Sequence, residues 1–148
     1  MNTFVIKCND KTIQLELCQY ILIQRSNYFK KMFSNFQETK LNKVEIILPE
    51  FKASNVQQFF KFMMDVNNME ISYKGWGLYE TVIIHLLAYR FLWNNMIKYT
   101  QERIYRLAPK CYNDVLFEAV TMMMDRFNMI YFKNFFISLI NKNKKNLN

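Results

Sequence analysis

Chemically reactive side chains are scarce in this sequence, and their spacing matches no catalytic or metal-binding pattern. His85 is the single histidine and lies in the apolar stretch VIIHLLA, without a cysteine, serine or carboxylate at a diagnostic spacing. A lone imidazole completes neither a metal site nor a catalytic triad, whereas a buried histidine with one hydrogen-bond partner is common in protein cores. We therefore predict no catalytic residue, no metal ligand and no enzymatic activity.

Cysteine and glycine spacing also fails to indicate a bound cofactor. The cysteines are Cys8, Cys18 and Cys111. Their odd number and wide separation argue against a disulfide framework or a zinc finger, so we expect reduced thiols. Gly75 and Gly77 lack the preceding strand and following Lys-Ser/Thr of a phosphate loop, and no cofactor is predicted. Trp76 between them has two open interpretations, an exposed anchor for a partner or an aromatic cap on the core.

Length and composition favour one folded domain. The chain has 148 residues, of which 51% are hydrophobic, enough for a sizeable core. No signal-peptide arrangement and no apolar run of the length of a membrane span is present, so we expect no membrane association. An intracellular protein, in the cytoplasm, the nucleus or both, is predicted.

The net charge of +8 raises nucleic acid as a partner, but the charge pattern disfavours it. The lysines are spread along the chain, and the one tight cluster is the terminal KNKKNLN, residues 142–148. Abundant Asn, Lys, Ile, Tyr and Phe with two glycines and two prolines is typical of AT-rich codons, as in a protist or a large DNA virus. That bias accounts for part of the charge without a function.

The first third of the chain predicts a small sheet interrupted by two helices. Apolar and polar residues alternate about Asn9-Asp10-Lys11, which indicates a hairpin of Thr3–Cys8 and Thr12–Leu15. A short helix should follow, and Ser26 should cap a second helix over Tyr28–Phe33. The β-branched stretch Lys43–Pro49 predicts a third strand that joins the hairpin from a distance.

The remainder of the chain predicts helices. Ser54 should cap an amphipathic helix, YETVIIHLLAYRF should form a central buried helix, and Asn94-Asn95 should separate it from MIKYTQERIYRL. Two more helices are expected within NDVLFEAVTMMMDRF and MIYFKNFFISLINK. The predicted class is α+β, a three-stranded sheet flanked by a helical cluster with extra C-terminal helices. We divide the chain into a domain at 1–108, a helical pair at 109–142 and a basic tail at 143–148.

Two segments in this order of elements resemble the BTB/POZ superfamily, to which elongin C and the F-box-binding adaptor of SCF ligases also belong. The first segment is Ser26-Asn27-Tyr28-Phe29-Lys30-Lys31-Met32-Phe33, similar to the family's Ser-x-Tyr-Phe-x-x-Met-Phe pattern. The second is Leu86-Leu87-Ala88-Tyr89-Arg90-Phe91-Leu92, similar to its Leu-Leu-x-Ala-x-x-Leu segment. By spacing alone, the apolar residues of the first segment should fill the gap between sheet and helices.

The resemblance implies a protein-interaction module and a position for its partner. In relatives that recruit a cullin, an apolar residue, any residue and a glutamate follow this helix, and Phe36, Gln37 and Glu38 match that pattern. A projecting aromatic can fill a partner pocket while the carboxylate pairs at its rim. The alternative is that Phe36 folds back onto the core and Glu38 is solvated.

Departures from the family pattern bear on the partner and on oligomeric state. Met64-Asp65-Val66 replaces the common Tyr-Thr-Gly, which removes an aromatic expected near the cullin surface, and Leu15-Glu16-Leu17 replaces the common Ala-His-Lys. Relatives that dimerise by strand exchange carry a segment before the first strand that is not seen here. We expect a monomer, or a homo-oligomer formed through another surface.

The C-terminal helices provide a second candidate surface. The last one carries apolar residues on more than one face, so it either packs beneath earlier helices or forms an interface. In adaptor-like relatives this region docks substrate receptors, which makes Phe132 and Phe136 candidates for partner contact. The leading hypothesis is a cullin-ligase adaptor, which would redirect or occupy host ligases if the source is viral. The alternatives are a self-associating scaffold module and, least favoured, a nucleic-acid-binding protein.

Overall fold

A three-stranded sheet forms one side of the protein. The computed structural model describes residues 1–35, 43–65 and 76–108, and the scattered residues 118, 120–122, 124–125, 133–134, 136–138 and 141. Strands β1 (Asn2–Cys8) and β2 (Thr12–Leu17) form an antiparallel hairpin. Strand β3 (Lys43–Leu48) pairs parallel to β1, giving the order β2-β1-β3. Both the hairpin and the distant third strand are confirmed.

Alternation along the strands gives the sheet one buried face. Phe4 of β1 lies opposite Leu15 on one side and Val44 on the other, and its neighbour Ile6 lies opposite Ile13 and Ile46. Because successive side chains of a strand point to opposite faces, these apolar positions share one face and the residues between them share the other. The hydrophobic face of the sheet therefore rests against the helices.

Five continuous helices follow in the described ranges. They are α1 (Gln19–Arg25), α2 (Asn27–Asn35), α3 (Ala53–Met64), α4 (Leu78–Arg90) and α5 (Asn94–Leu107). Scattered residues between 118 and 141 also have helical backbone. The predicted α+β class is confirmed. No helix among the described residues is long and apolar enough to cross a bilayer.

An aromatic cluster joins the sheet to the helices. Phe29 of α2 is completely buried, and its ring centroid lies 5.7 Å from that of Phe4, 6.2 Å from that of Phe60 and 5.3 Å from that of Phe91. Phe33, one turn later, also contacts Phe4. The rings of Phe29 and Phe33 thus fill the space between the sheet and the helices.

Ser26 fixes the start of α2 against the corner between α4 and α5. Its hydroxyl donates to the carbonyl of Phe91, and its oxygen accepts a 3.2 Å hydrogen bond from the backbone N–H of Phe29. The backbone N–H of Asn27 donates to the carbonyl of Leu92 at 3.2 Å. Ser26 is therefore the N-cap that the sequence predicts, and it also satisfies a carbonyl 65 residues away in the chain.

Replacing Ser26 should destabilise the protein more than replacing another serine of the same helix. Ser26→Ala removes the cap and leaves the buried Phe91 carbonyl without this donor, which should lower the free energy of unfolding by about 2 kcal/mol. Urea denaturation measures the change. Ser34→Ala is the control, because the Ser34 hydroxyl is exposed and donates only to the carbonyl of Lys31. Equal effects of the two substitutions would contradict the role given to Ser26.

The cap of α3 differs from the predicted one. The sequence predicts Ser54 at the N-cap, but the helix begins at Ala53 and Ser54 is already inside it. The N–H of Ala53 donates to Oδ1 of Asp10 at 2.9 Å, and this hydrogen bond holds the pKa of the carboxyl below its usual range. Because Asp10 lies in the hairpin turn 43 residues away, tertiary structure supplies the acceptor in place of a local side chain.

The Asp10 cap predicts an acid-dependent contribution to stability. A carboxyl whose folded pKa is lowered stabilises the fold above its unfolded pKa, and that contribution is lost as the pH falls through the folded pKa. Thermal unfolding of wild type and Asp10→Asn, measured from pH 7 down to the acid range, should give melting temperatures that converge as Asp10 protonates. A difference that is constant with pH would contradict the cap.

The corner between α4 and α5 lies earlier than predicted. The sequence predicts the break at Asn94-Asn95, but α4 ends at Arg90 and α5 already begins at Asn94. The N–H of Trp93 donates to the carbonyl of Ala88 at 2.9 Å, and that of Leu92 donates to the carbonyl of Tyr89 at 3.3 Å. This pair of hydrogen bonds is the Schellman motif, which ends a helix with one residue in the left-handed conformation.

Leu92 occupies the left-handed position of this motif, with a φ of 52°. Glycine is usual there, because a side chain costs roughly 1 kcal/mol or more in this backbone region. The sequence gives no signal for the corner at this position, because neither glycine nor asparagine stands at position 92. An apolar residue in this conformation therefore carries a conformational cost.

At Leu92 the glycine variant should be more stable than the alanine variant. This is the reverse of the order expected inside a helix. Leu92→Gly should be about 1 kcal/mol more stable than Leu92→Ala, because both lose the side chain and only glycine escapes the strain. Lys98, exposed within α5, provides the control pair, in which glycine should be the less stable variant by about 1 kcal/mol. The same order at both positions, measured by urea denaturation, would contradict the left-handed conformation.

Candidate partner-binding surface

Helix α2 directly precedes the predicted cullin-binding residues in the chain. The helix ends at Asn35 and β3 begins at Lys43. Phe36, Gln37 and Glu38 lie outside the described residues, and their role stays a prediction. What the structure provides is the position of the two ends that flank them.

Ring contacts with Phe91 and Arg90 hold the inner face of α2 in place. Phe29 stacks on Phe91, with ring planes 8° apart, while the ring of Tyr28 contacts Phe91 edge-on at 5.4 Å. The guanidinium of Arg90 lies 5.9 Å from the centre of the Tyr28 ring on the more exposed side. The aromatic contacts bury one stripe of the helix and leave Asn27, Lys30, Lys31 and Ser34 exposed.

Arg25 joins the end of α1 to the end of α3. Its Nη1 donates to the carbonyl of Met63 and to the carbonyl of Asp65 at 2.9 Å, with a longer contact to that of Phe62 at 3.4 Å. These carbonyls belong to the last turn of α3 and its cap, which lack intrahelical donors. A cation at a helix C-terminus also interacts favourably with the helix dipole. Arg25 thus fixes the end of α3.

Met64 has an inward role at the position where relatives carry an aromatic. Its Sδ accepts a hydrogen bond from the N–H of Cys18 at 3.4 Å, and its side chain is half-buried against the core. The residue therefore connects α3 with the start of α1. Local sequence patterns did not reveal this contact or that of Arg25, because both join residues about 40 positions apart.

Two Arg25 variants should distinguish the loss of the positive charge from the loss of the planar guanidinium that makes the hydrogen bonds. Arg25→Ala should lower the free energy of unfolding by about 1–3 kcal/mol, since several carbonyls of α3 lose their donor. Arg25→Lys keeps the charge but not the planar fork, so it should fall between wild type and alanine. Chemical denaturation measures both. An alanine variant as stable as wild type would show that water replaces the guanidinium without cost.

His85 is a core residue that is hydrogen-bonded to Thr100 of the next helix. Its Nδ1 lies 2.8 Å from Oγ1 of Thr100, and the Thr100 hydroxyl donates to the carbonyl of Met96 at 2.7 Å. Since that hydroxyl has one proton, Nδ1 of His85 is the donor in the pair. Burial lowers the pKa of His85 to about 4, so the ring is neutral at physiological pH. These features fit a structural histidine.

Of the other candidate residues, two are buried in the core and one lies outside the described residues. Trp76 is 7% exposed and its ring lies 4.7 Å from that of Phe62, which fits the core-cap interpretation. Phe136 has no exposed surface, so its ring is covered within the chain. Phe132 lies outside the described residues. No group of residues that could hold a metal ion occurs in the part of the chain that the structure describes.

Comparison with known proteins gives one family match. Residues 2–74 match the family model of the BTB/POZ domain. The matched range runs from β1 past the end of α3 and includes the α2 motif, while α4 and α5 follow it. A search of curated proteins found no match to this chain.

Proposed function

Since the chain belongs to the BTB/POZ family, whose domain is a protein-interaction module, we propose that it is a non-enzymatic adaptor that binds a cullin. The contact residues in this proposal are Phe36, Gln37 and Glu38. By bringing a second protein to the scaffold, the adaptor would act within a ubiquitin ligase complex in the cytoplasm or nucleus. Its oligomeric state in this proposal is a monomer.

The observation that carries the proposal is the fixed position of α2. Ser26 binds the α4–α5 corner at the start of this helix, and Phe29 and Phe33 bury its inner face. The last turn of α2, which precedes Phe36 in the chain, therefore has a fixed position. Anchoring of this kind lowers the entropic cost of ordering a short contact segment when a partner binds.

The chemistry of the triplet suits a small contact with a protein groove. An aromatic side chain in an apolar pocket is a frequent centre of interface energy, and its truncation commonly costs about 2 kcal/mol or more. A carboxylate two residues later adds orientation and a faster encounter with a basic groove. Phe36 would supply most of the affinity and Glu38 most of the selectivity.

Complex formation tests the proposal directly. The purified chain is mixed with the N-terminal domains of several cullins and analysed by size-exclusion chromatography with light scattering. We expect a complex with one of them that Phe36→Ala/Glu38→Ala weakens at least tenfold in its dissociation constant. The matched control is Tyr105→Ala/Glu102→Ala, which removes an exposed aromatic and an exposed carboxylate from α5.

The outcomes separate the adaptor from its alternatives. Loss of binding in the first double variant alone supports the adaptor. No complex with any cullin, together with a discrete homo-oligomer of the chain, would sink the adaptor and favour a self-associating scaffold. Equal loss in both double variants would place the cullin contact elsewhere.

A further inference from the structure

Leu92 combines two properties that the fold itself does not require. Its side chain is 43% exposed, and its backbone has the left-handed conformation that disfavours any side chain with a Cβ. The hydrogen bonds of the corner use only its backbone atoms, so glycine would serve the fold equally well. An exposed leucine in a backbone conformation that disfavours side chains is a candidate for a contact outside the chain.

The surroundings of Leu92 are basic. Arg90 lies two residues before it, over the Tyr28 ring, and the carbonyl of Leu92 accepts the N–H of Asn27. Lys31 follows Asn27 by one helical turn, so it lies on the same exposed face of α2, with Lys30 beside it. We name Leu92, Arg90, Lys30, Lys31 and Asn27 the corner surface.

Positive charge on the corner surface is not balanced by described carboxylates. Neither α2 nor the corner stretch 88–95 contains an Asp or Glu. The two ion pairs between described residues join Lys7 with Glu45 and Lys133 with Asp125, and neither involves the corner surface. The outer face of the sheet thus has charge pairing, whereas the corner surface has cations beside an exposed apolar side chain.

We propose that the corner surface binds an acidic protein segment that carries a large apolar residue. The apolar side chain of the segment would rest on Leu92 and the exposed part of Tyr89, which is 50% exposed. Its Asp or Glu residues would pair with Arg90 and the lysines of α2. A leucine anchor with flanking cations is the complement of such a segment in both polarity and charge.

Other occupants fit the corner surface less well. A second copy of this chain would bring a net charge of +8 toward a positive surface. A nucleic acid would pair with the cations, but an exposed leucine adds little to a surface that contacts phosphates. An acidic segment of a protein uses both features.

The corner surface is separate from the proposed cullin contact. It extends from the N-terminal end of α2 to the middle residue of that helix, Lys31, whereas residue 36 follows the C-terminal end. Helix α2 rises about 6 Å from Lys31 to Asn35 at 1.5 Å per residue. The two surfaces share no residue, and neither proposal depends on the other.

Peptide selection identifies an occupant whose sequence is not specified in advance. A random-peptide phage library is panned on the whole chain, with counter-selection on the Leu92→Gly/Arg90→Glu/Lys31→Glu variant. We expect enriched peptides in which Asp or Glu residues flank a large apolar residue. An enriched peptide is then synthesised with a fluorophore, and its dissociation constant is measured by fluorescence anisotropy.

Single variants then assign the binding energy. Leu92→Gly, Leu92→Ala and the pair Arg90→Glu/Lys31→Glu should each weaken the peptide about tenfold, and the effect of the charge pair should shrink with added salt. Lys61→Glu is the charge control, because Lys61 is an exposed lysine of α3 that does not belong to the corner surface. Phe36→Ala/Glu38→Ala should leave peptide affinity unchanged. Melting temperatures confirm that each variant is folded.

Three outcomes would overturn the proposal. The first is a selection that enriches no peptide on the wild type over the counter-selected variant, or that enriches peptides without acidic residues. The second is an affinity that Leu92→Gly and Leu92→Ala leave unchanged. The third is a labelled DNA duplex that binds with the same sensitivity to the Arg90→Glu/Lys31→Glu change but none to Leu92 variants, since that identifies a phosphate surface.

Discussion

The junction between the start of α2 and the α4–α5 corner is the constraint on which the rest of the structure depends. Ser26 caps its own helix and at the same time satisfies the carbonyl of Phe91. One hydroxyl therefore joins the start of α2 to the residue that follows α4. The Phe29 ring is then enclosed between the sheet and Phe91, and the core closes around it.

Because α2 is fixed in this way, the exposed side chains of its first half have defined positions on the surface. Leu92, Arg90 and the α2 lysines of the corner surface are therefore held in place before any partner arrives. A protein-interaction module benefits from such contacts, because the side chains on a rigid helix need little ordering on binding. His85 is neutral inside the core at physiological pH.

The sequence predicted those elements that depend on neighbours along the chain. The β1–β2 hairpin, the third strand and the cap at Ser26 follow from alternation, turn residues and capping preference within a few positions. Three contacts could not be predicted this way: the Asp10 cap of α3, the hydrogen bonds of Arg25 to the end of α3, and the contact of Met64 with Cys18. Each of them joins residues about 40 positions apart. The left-handed conformation of Leu92 was not predicted for a different reason. The sequence there lacks glycine or asparagine, the residue types that this conformation favours.

Hydrogen–deuterium exchange of the chain, with and without a cullin N-terminal domain that it binds, tests the adaptor account most directly. The account predicts slower exchange in the peptide that spans residues 36–42 when the cullin is present, with no change in the strands of the sheet. Protection confined to another part of the chain, or no protection at all under saturating cullin, would contradict it.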